Sequence, residues 1–245
     1  MSQVIVIKIG GIAGQSLAPD VVATLQKWQV AGHRLVVVHG GGFAISDVLE
    51  KAGHETVKCD GLRVTAKEDM PLIVEALVDR VGKSLAEKLD EAGLAIHQLT
   101  LEQLQLVEAT FLDKAKYGYV GSVTSIDQSL LQGLLVEGKI PLLASLAYSP
   151  SGEILNVNAD YLAKSVAIAL KADRLVLMTD VKGVMEDGQV LAQLLTKEIQ
   201  GKIASGVITG GMIPKIESAA ETVEAGVGQV VIGDNLETGT IISKE

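Results

Sequence analysis

Val4-Ile5-Val6-Ile7-Lys8-Ile9-Gly10-Gly11 lies at the head of the chain, and the rest is read outward from it. An aliphatic run without polar alternation describes a strand covered on both faces. The lysine inside that run is costly to bury unless an anion meets it. The two glycines beyond it let backbone approach a ligand closely. A lysine snorkelling from a strand end is the plainer reading of the same residues.

Further aliphatic runs at 35–39, 140–145, 175–179 and 229–232 repeat the pattern. Helical periodicity separates them, at 19–31, 43–52, 67–92, 160–172 and 214–225. This alternation predicts an α/β fold, an open αβα sandwich with a mainly parallel central sheet. The stretch 98–122 fits less well, and its run Tyr117-Gly118-Tyr119-Val120-Gly121 suggests a hairpin insertion. With five prolines, no linker-like tract and no repeat, the 245 residues read as a single domain. Its N-terminal lobe is expected over 1–173 and its C-terminal lobe over 174–245. Met70, Ile73, Val74, Leu77, Val78, Val81, Leu85 and Leu89 make a stripe on the helix 67–92, widened by Leu72 and Ala76. It reads first as core and second as a homodimer seam.

Composition excludes several classes. The chain is 48% hydrophobic and only 3% aromatic, too aliphatic for a disordered protein. It carries 21 basic and 30 acidic residues, a formal charge of −9, with no basic block to mark a nucleic-acid or membrane partner. An anionic ligand must therefore be held by a few placed cations. Cys59, the single cysteine, allows neither an intramolecular disulfide nor a cysteine metal cluster. The apolar runs fall well short of a membrane span, and no basic leader precedes the first strand, so a cytoplasmic location is expected.

Two motifs are decoys. Gly82-Lys83-Ser84 looks like the end of a phosphate-binding loop, but Leu77 stands where that motif needs its first glycine. Gly40-Gly41-Gly42-Phe43-Ala44-Ile45 imitates a dinucleotide fingerprint, yet its sixth position is Ile45 and the acidic partner is missing.

Four glycine-rich turns end strands, where open parallel sheets bind ligands. Lys8 to Gly11 is the first. His39-Gly40-Gly41-Gly42 leads into a helix whose free N–H groups and dipole attract an anion. Thr209-Gly210-Gly211-Met212-Ile213-Pro214-Lys215 puts proline at a predicted first helical position and a lysine in the opening turn. The dipole opposes a cation there, so the arrangement makes sense with an anion beside Lys215. Thr179-Asp180-Val181-Lys182-Gly183-Val184 suits a nucleotide or a plain surface turn. Asn156-Val157-Asn158-Ala159-Asp160 precedes a helix, and one capping residue accounts for only one of its three polar side chains. Arg63, in Gly61-Leu62-Arg63-Val64-Thr65, could grip a carboxylate through two parallel hydrogen bonds. Two lysines and N–H cradles are the equipment of phosphoryl transfer by positioning and charge neutralisation.

In their order and spacing, the motifs at Lys8, Gly40–Gly42, Gly61–Thr65, Asn156–Asp160 and Gly211–Lys215 resemble the amino acid kinase family over nearly the whole chain. Within it the chain is most similar to members that phosphorylate the side-chain carboxylate of N-acetyl-L-glutamate. The resemblance implies an N-terminal lobe for the acceptor and a C-terminal lobe for ATP. Lys8 and Lys215 would flank the transferring group, with Asp160 holding both lysines. The N–H groups of Gly10, Gly11, Gly41 and Gly42 would line the phosphoryl path and the acceptor. Arg63 and Asn156 would bind the acceptor, with Asn158 close by. Asp180, Val181, Lys182, Gly183, Val184 and Met185, with Val207, Ile208 and Thr209, would border the nucleotide. Mg2+ would ride on the ATP phosphates, without a protein cage.

Arginine-inhibited members add an N-terminal helix that joins dimers into rings. This chain starts only a few residues before its lysine-bearing strand, so an arginine-insensitive homodimer is expected. Tyr117 to Gly121 only loosely resembles the family's hairpin over the acceptor. The relative that phosphorylates carrier-bound aminoadipate in lysine biosynthesis would need a basic surface, and no basic run is visible. Uridylate and carbamate kinases lack the pair of motifs at 61–65 and 156–160. A non-catalytic sensor on this fold would be expected to have lost a lysine or Asp160, and all three are present.

Overall fold

Alternation along the first strand sets the layers of the molecule. The computed structural model describes residues 2–10 and 17–244, and Gly11 lies outside them. Eight strands form one sheet: β1 (Val4–Ile9), β2 (Arg34–His39), β3 (Ile96–Gln98), β4 (Ile140–Ala144), β5 (Arg174–Met178), β6 (Gln193–Leu195), β7 (Gln229–Gly233) and β8 (Thr240–Ser243). Their order across the sheet is β6-β8-β7-β5-β1-β2-β4-β3. Every neighbouring pair is parallel except β7 with β8. Successive side chains leave a strand on opposite faces. Val4 and Val6 accordingly join a core that includes Leu162, Val166 and Ile216. Ile5, Ile7 and Ile9 join a second core with Leu25, Trp28, Leu85 and Leu89. Lys8 shares the parity of Val4 and Val6, so its side chain emerges on the face covered by the helix Ala159–Ala169.

The helix expected over 67–92 begins at Met70 and is not uniform. It runs as Met70–Val74, a π-helical segment Glu75–Gly82, and Lys83–Glu91. The stripe residues Ile73, Leu77, Leu85 and Leu89 are fully buried, while Leu72, Val74 and Val78 are half-buried against the core. The π segment packs under the second glycine turn. A Cβ on Gly41 would stand 2.8 Å from Leu77 Cδ2 and 3.2 Å from Val81 Cγ2, so only glycine lets the turn lie this close to the helix.

The segment expected to be a hairpin insertion is part of a larger unit. Val107–Phe111 and Val120–Ile126 pair antiparallel, as a hairpin should. They close into a four-stranded barrel with Leu146–Tyr148 and Ile154–Val157. Those two strands are three and four residues long, too short for periodicity to reveal. The last of them runs straight into Asn158, the N-cap of the helix Ala159–Ala169. The barrel thus delivers Asn156 and Asp160 to the sheet edge.

His39, at the end of β2, is fully buried. Its Nδ1 lies 3.1 Å from the Gly40 carbonyl. A carbonyl only accepts, so Nδ1 carries a hydrogen. Nε2 is left without a hydrogen-bond partner. Burial pushes the imidazole down from 6.5 to about 4, with the Gly40 contact opposing the shift. Between these values the unfolded chain takes up a proton that the native state refuses. The stability that depends on neutral His39 is therefore complete above pH 6.5 and lost as the pH falls toward 4. We expect His39 to account for about 2 kcal/mol of lost stability between pH 7 and pH 5. Urea unfolding of the protein and of His39→Gln at both values measures it, and equal pH slopes would refute the assignment.

Candidate active site

Two cations and an acid meet at the carboxyl edge of the sheet. The Lys8 ammonium lies 2.9 Å from Asp160 Oδ1 and 3.4 Å from the Met178 carbonyl. The ion pair is close but off the hydrogen-bonding direction, so the buried Oδ1 has a charge partner and, among the described residues, no hydrogen-bond donor. The helix beneath Asp160 starts there because Asn158 caps it: Asn158 Oδ1 accepts from the N–H groups of Asp160 (2.8 Å) and Tyr161 (3.3 Å). Asp160 then sits in the first turn, where the dipole favours an acid.

Lys215 is held differently from the expectation that Asp160 grips both lysines. Its ammonium donates to Thr179 Oγ1 at 3.0 Å, and Thr179 Oγ1 donates to Asp180 Oδ1 at 3.0 Å. Among the described residues no ion pair joins Lys215 to Asp160. The helix carrying Lys215 begins at Met212, so Pro214 occupies its third position rather than its first. The correction is physically mild, since every N–H in the first turn is an orphan that proline can omit. Asp180 is held below the usual carboxylate range by the Thr179 hydroxyl and its own backbone N–H, with the charges of Lys215 and Lys8 adding to the effect.

Two helix starts beside these lysines have no side-chain cap and no acid in the first turn. They are Gly42–Lys51, entered through Gly41, and Met212–Glu224, entered through Gly211. Both starts turn the positive end of a helix dipole toward the site; at the second, the Met212 and Ile213 N–H groups donate to the Thr209 and Gly210 carbonyls and Pro214 has none.

One cleft gathers Lys8, Gly10, Gly41, Gly42, Arg63, Asn156, Asn158 and Asp160. Arg63 comes from a short hairpin in which Lys58–Cys59 pairs with Leu62–Arg63. Asp60 and Gly61 turn it, with φ of 51° and 78°, the geometry of a two-residue Asp-Gly hairpin turn. The Arg63 guanidinium donates to the Gly42 carbonyl (2.9 Å), Ser46 Oγ (2.8 Å) and Thr56 Oγ1 (3.0 Å). Burial pushes its pKa down, and the charge of Asp69 partly restores it. A second cleft shares Asn158 and Asp160 with the first and adds Lys215 and Gly211. A third, farther along, is lined by Val181, Lys182, Gly183, Val184, Met185, Val207 and Thr209.

Three corrections and additions stand out. Ile208 is buried in the core and does not reach the third cleft, because its neighbours Val207 and Thr209 point the other way. Met212 lines that cleft and Lys58 lines the first, and neither is foreseen from sequence. The Asp60-Gly61 pair is the signal that could have revealed the hairpin, and with it Lys58 opposite Arg63.

An open parallel sheet with paired lysines and N–H cradles at its carboxyl edge defines a small-molecule phosphotransferase. The chain belongs to the amino acid kinase family, whose profile matches residues 3–234. It is 54% identical to an acetylglutamate kinase of Streptococcus mutans over 245 residues, covering the whole of both chains. It is 47% identical to an acetylglutamate kinase of Staphylococcus epidermidis over 242 residues, 99% of each. A crystal structure of a Streptococcus mutans protein superposes with a TM-score of 0.91 at 54% identity, complete in both chains. A carbamate kinase from Giardia lamblia bound to AMP-PNP shares the fold at a TM-score of 0.71 and 16% identity, covering 100% of this chain and 99% of that one.

A Cβ on Gly10 would stand 2.2 Å from the Lys8 ammonium nitrogen. That nitrogen ends a flexible side chain and can move aside, so Gly10→Ala should cost activity without costing stability. We expect kcat to fall at least roughly tenfold while the thermal midpoint holds, as when one preorganised charge is displaced. Steady-state rates and a melting curve test both halves. Full activity would show that the Lys8 position is not critical.

Proposed function

We propose that the protein transfers the γ-phosphoryl group of MgATP to the side-chain carboxylate of N-acetyl-L-glutamate, the second step of arginine biosynthesis. The observation that carries this reading is the first cleft. Arg63 and the Lys8–Asp160 pair line the same cleft, which supports a carboxylate acceptor beside a phosphoryl path, in a chain 54% identical along its whole length to an acetylglutamate kinase.

The acceptor lies between Arg63 and Asn156, with Asn158 nearby and the N–H groups of Gly41 and Gly42 against it. Arg63 matches a carboxylate bidentately once it exchanges its present partners for the ligand. The acceptor's reacting carboxylate then points toward Lys8. One of its oxygens forms the new P–O bond as the bond from phosphorus to the β,γ-bridging oxygen breaks, and ADP leaves with that electron pair. No proton need move, since the attacking carboxylate is already ionised. Charge on the transferring group is neutralised by Lys8 and Lys215 and by the N–H groups of Gly10 and Gly11. Asp160 keeps the Lys8 ammonium aimed at the path. The third cleft, with Asp180 and Ile208 behind it, borders the nucleotide. Mg2+ enters with ATP as part of that substrate and neutralises phosphate charge.

In this reading residues 1–173 form the acceptor lobe and residues 174–245 the ATP lobe, although β1 and β5 join them in one sheet. The protein acts as a homodimer in the cytoplasm, with half-buried Leu72 on the helix 70–91 as the part of the seam left accessible, since Ala76 is fully buried in the core. Among the described residues no helix is long and apolar enough to cross a membrane.

Acyl-phosphate trapping as the hydroxamate, across N-acetylglutamate, glutamate, N-acetylaspartate and aminoadipate, tests the acceptor. Turnover is expected with N-acetylglutamate, and silence there would overturn the reading. Lys8→Ala and Lys215→Ala should each lower kcat by about 10²–10³. Arg63→Ala should raise the acceptor KM far more than the KM for ATP. A change within about twofold in kcat for Lys8→Ala would remove that lysine from the mechanism.

A further inference from the structure

Thr65 is completely buried behind the acceptor cleft, at the junction of three chain segments. Its hydroxyl does two things at once. Oγ1 donates to the Arg63 carbonyl at 3.3 Å and accepts from Asn156 Nδ2 at 3.2 Å. A hydroxyl has one hydrogen to give and lone pairs to receive, so both bonds form together. The Thr65 backbone is fastened as tightly. Its N–H donates to the Tyr117 carbonyl at 3.0 Å, and its carbonyl accepts from the Tyr119 N–H at 2.7 Å. Asn156 N–H in turn donates to the Tyr119 carbonyl at 2.9 Å. The approach is close enough that a Cβ on Gly118, with φ at 68°, would stand 2.1 Å from the Thr65 oxygen.

Arg63 and Asn156 lie 93 positions apart in sequence, on a two-stranded hairpin and a barrel strand that belong to different sheets. No described hydrogen bond joins them directly. Among the described residues, the side chain hydrogen-bonded to both is that of Thr65, through the Arg63 carbonyl and the Asn156 amide. We propose that Thr65 is a positioning residue for the phosphoryl acceptor: its hydroxyl fixes the separation and relative orientation of Arg63 and Asn156, so that the two ends of an acylated amino acid are gripped in one register. The inference rests on the reading of Arg63 and Asn156 as the acceptor's binding pair. Thr65 lines neither the acceptor cleft nor the third cleft.

A positioning role and a merely structural one predict different kinetics. Thr65→Val keeps the shape and removes the hydroxyl, and Thr65→Ser keeps the hydroxyl and removes a methyl. Thr65→Val is expected to raise the KM for N-acetylglutamate roughly five- to tenfold, the usual effect of one lost hydrogen bond. Its KM for ATP should stay within about twofold, and Thr65→Ser should restore the acceptor KM to within about twofold of the unsubstituted protein. If Thr65→Val does not fold, Thr65→Ala deletes the same hydroxyl and is read in the same way. An unchanged acceptor KM, a parallel loss for both substrates, or a Thr65→Ser variant as impaired as Thr65→Val would overturn the proposal. The unsubstituted protein is assayed alongside. If it fails to use N-acetylglutamate, the functional reading has failed; if it turns over normally while the variants show no split, only the role of Thr65 has failed.

Discussion

The site depends on one constraint, that a lysine must keep its charge inside an aliphatic strand. An ammonium taken from water without a partner is among the costliest groups to bury. Three local features make Lys8 tolerable. Strand alternation sends it to the face where the helix Ala159–Ala169 begins. Asn158 caps that helix and brings Asp160 to 2.9 Å from the ammonium. Gly10 has no side chain to occupy the space the ammonium fills. Each feature is ordinary alone, and together they leave a cation at the rim of a cleft.

A chain with a formal charge of −9 repels the anions it has to bind, so attraction must be local. Lys8, Arg63 and Lys58 face the first cleft and Lys215 the next, with two uncapped helix starts between them. The acids within reach are engaged. Asp160 faces Lys8, and Asp180 accepts from Thr179. The excess acid lies elsewhere on the surface, where solvent screens it over about a Debye length.

Much of this was legible in the sequence, for identifiable reasons. The strands β1, β2, β4, β5 and β7 are mainly aliphatic because helices cover both faces, and such runs stand out. The edge strands β3 and β6, and β8 next to β6, are short, and composition alone does not distinguish them from loop. The barrel was only partly foreseen, since its closure depends on long-range pairing such as Asn156 with Val120. Site residues with unusual chemistry for their position, such as Lys8 in a strand or Lys215 in a first helical turn, announced themselves. Residues whose role lies in contact did not. Lys58 reads as an ordinary surface lysine until the hairpin pairs it with Arg63. The grip of Asp160 on a second lysine failed for the same reason, because which acid meets which cation is settled by tertiary geometry.

That last difference matters for how the two lysines divide the work. Lys8 is tied to a carboxylate, so much of its charge is answered before any ligand arrives. Lys215 is held by a neutral hydroxyl, which offers it no opposite charge. Exchanging Thr179 for a phosphoryl oxygen therefore costs Lys215 less than leaving Asp160 would cost Lys8. On the proposed reading, Lys8 is the lysine held by a fixed opposite charge and Lys215 the one held by an exchangeable hydroxyl. Asp180, one hydrogen bond behind Lys215, orients the Thr179 hydroxyl that holds the ammonium.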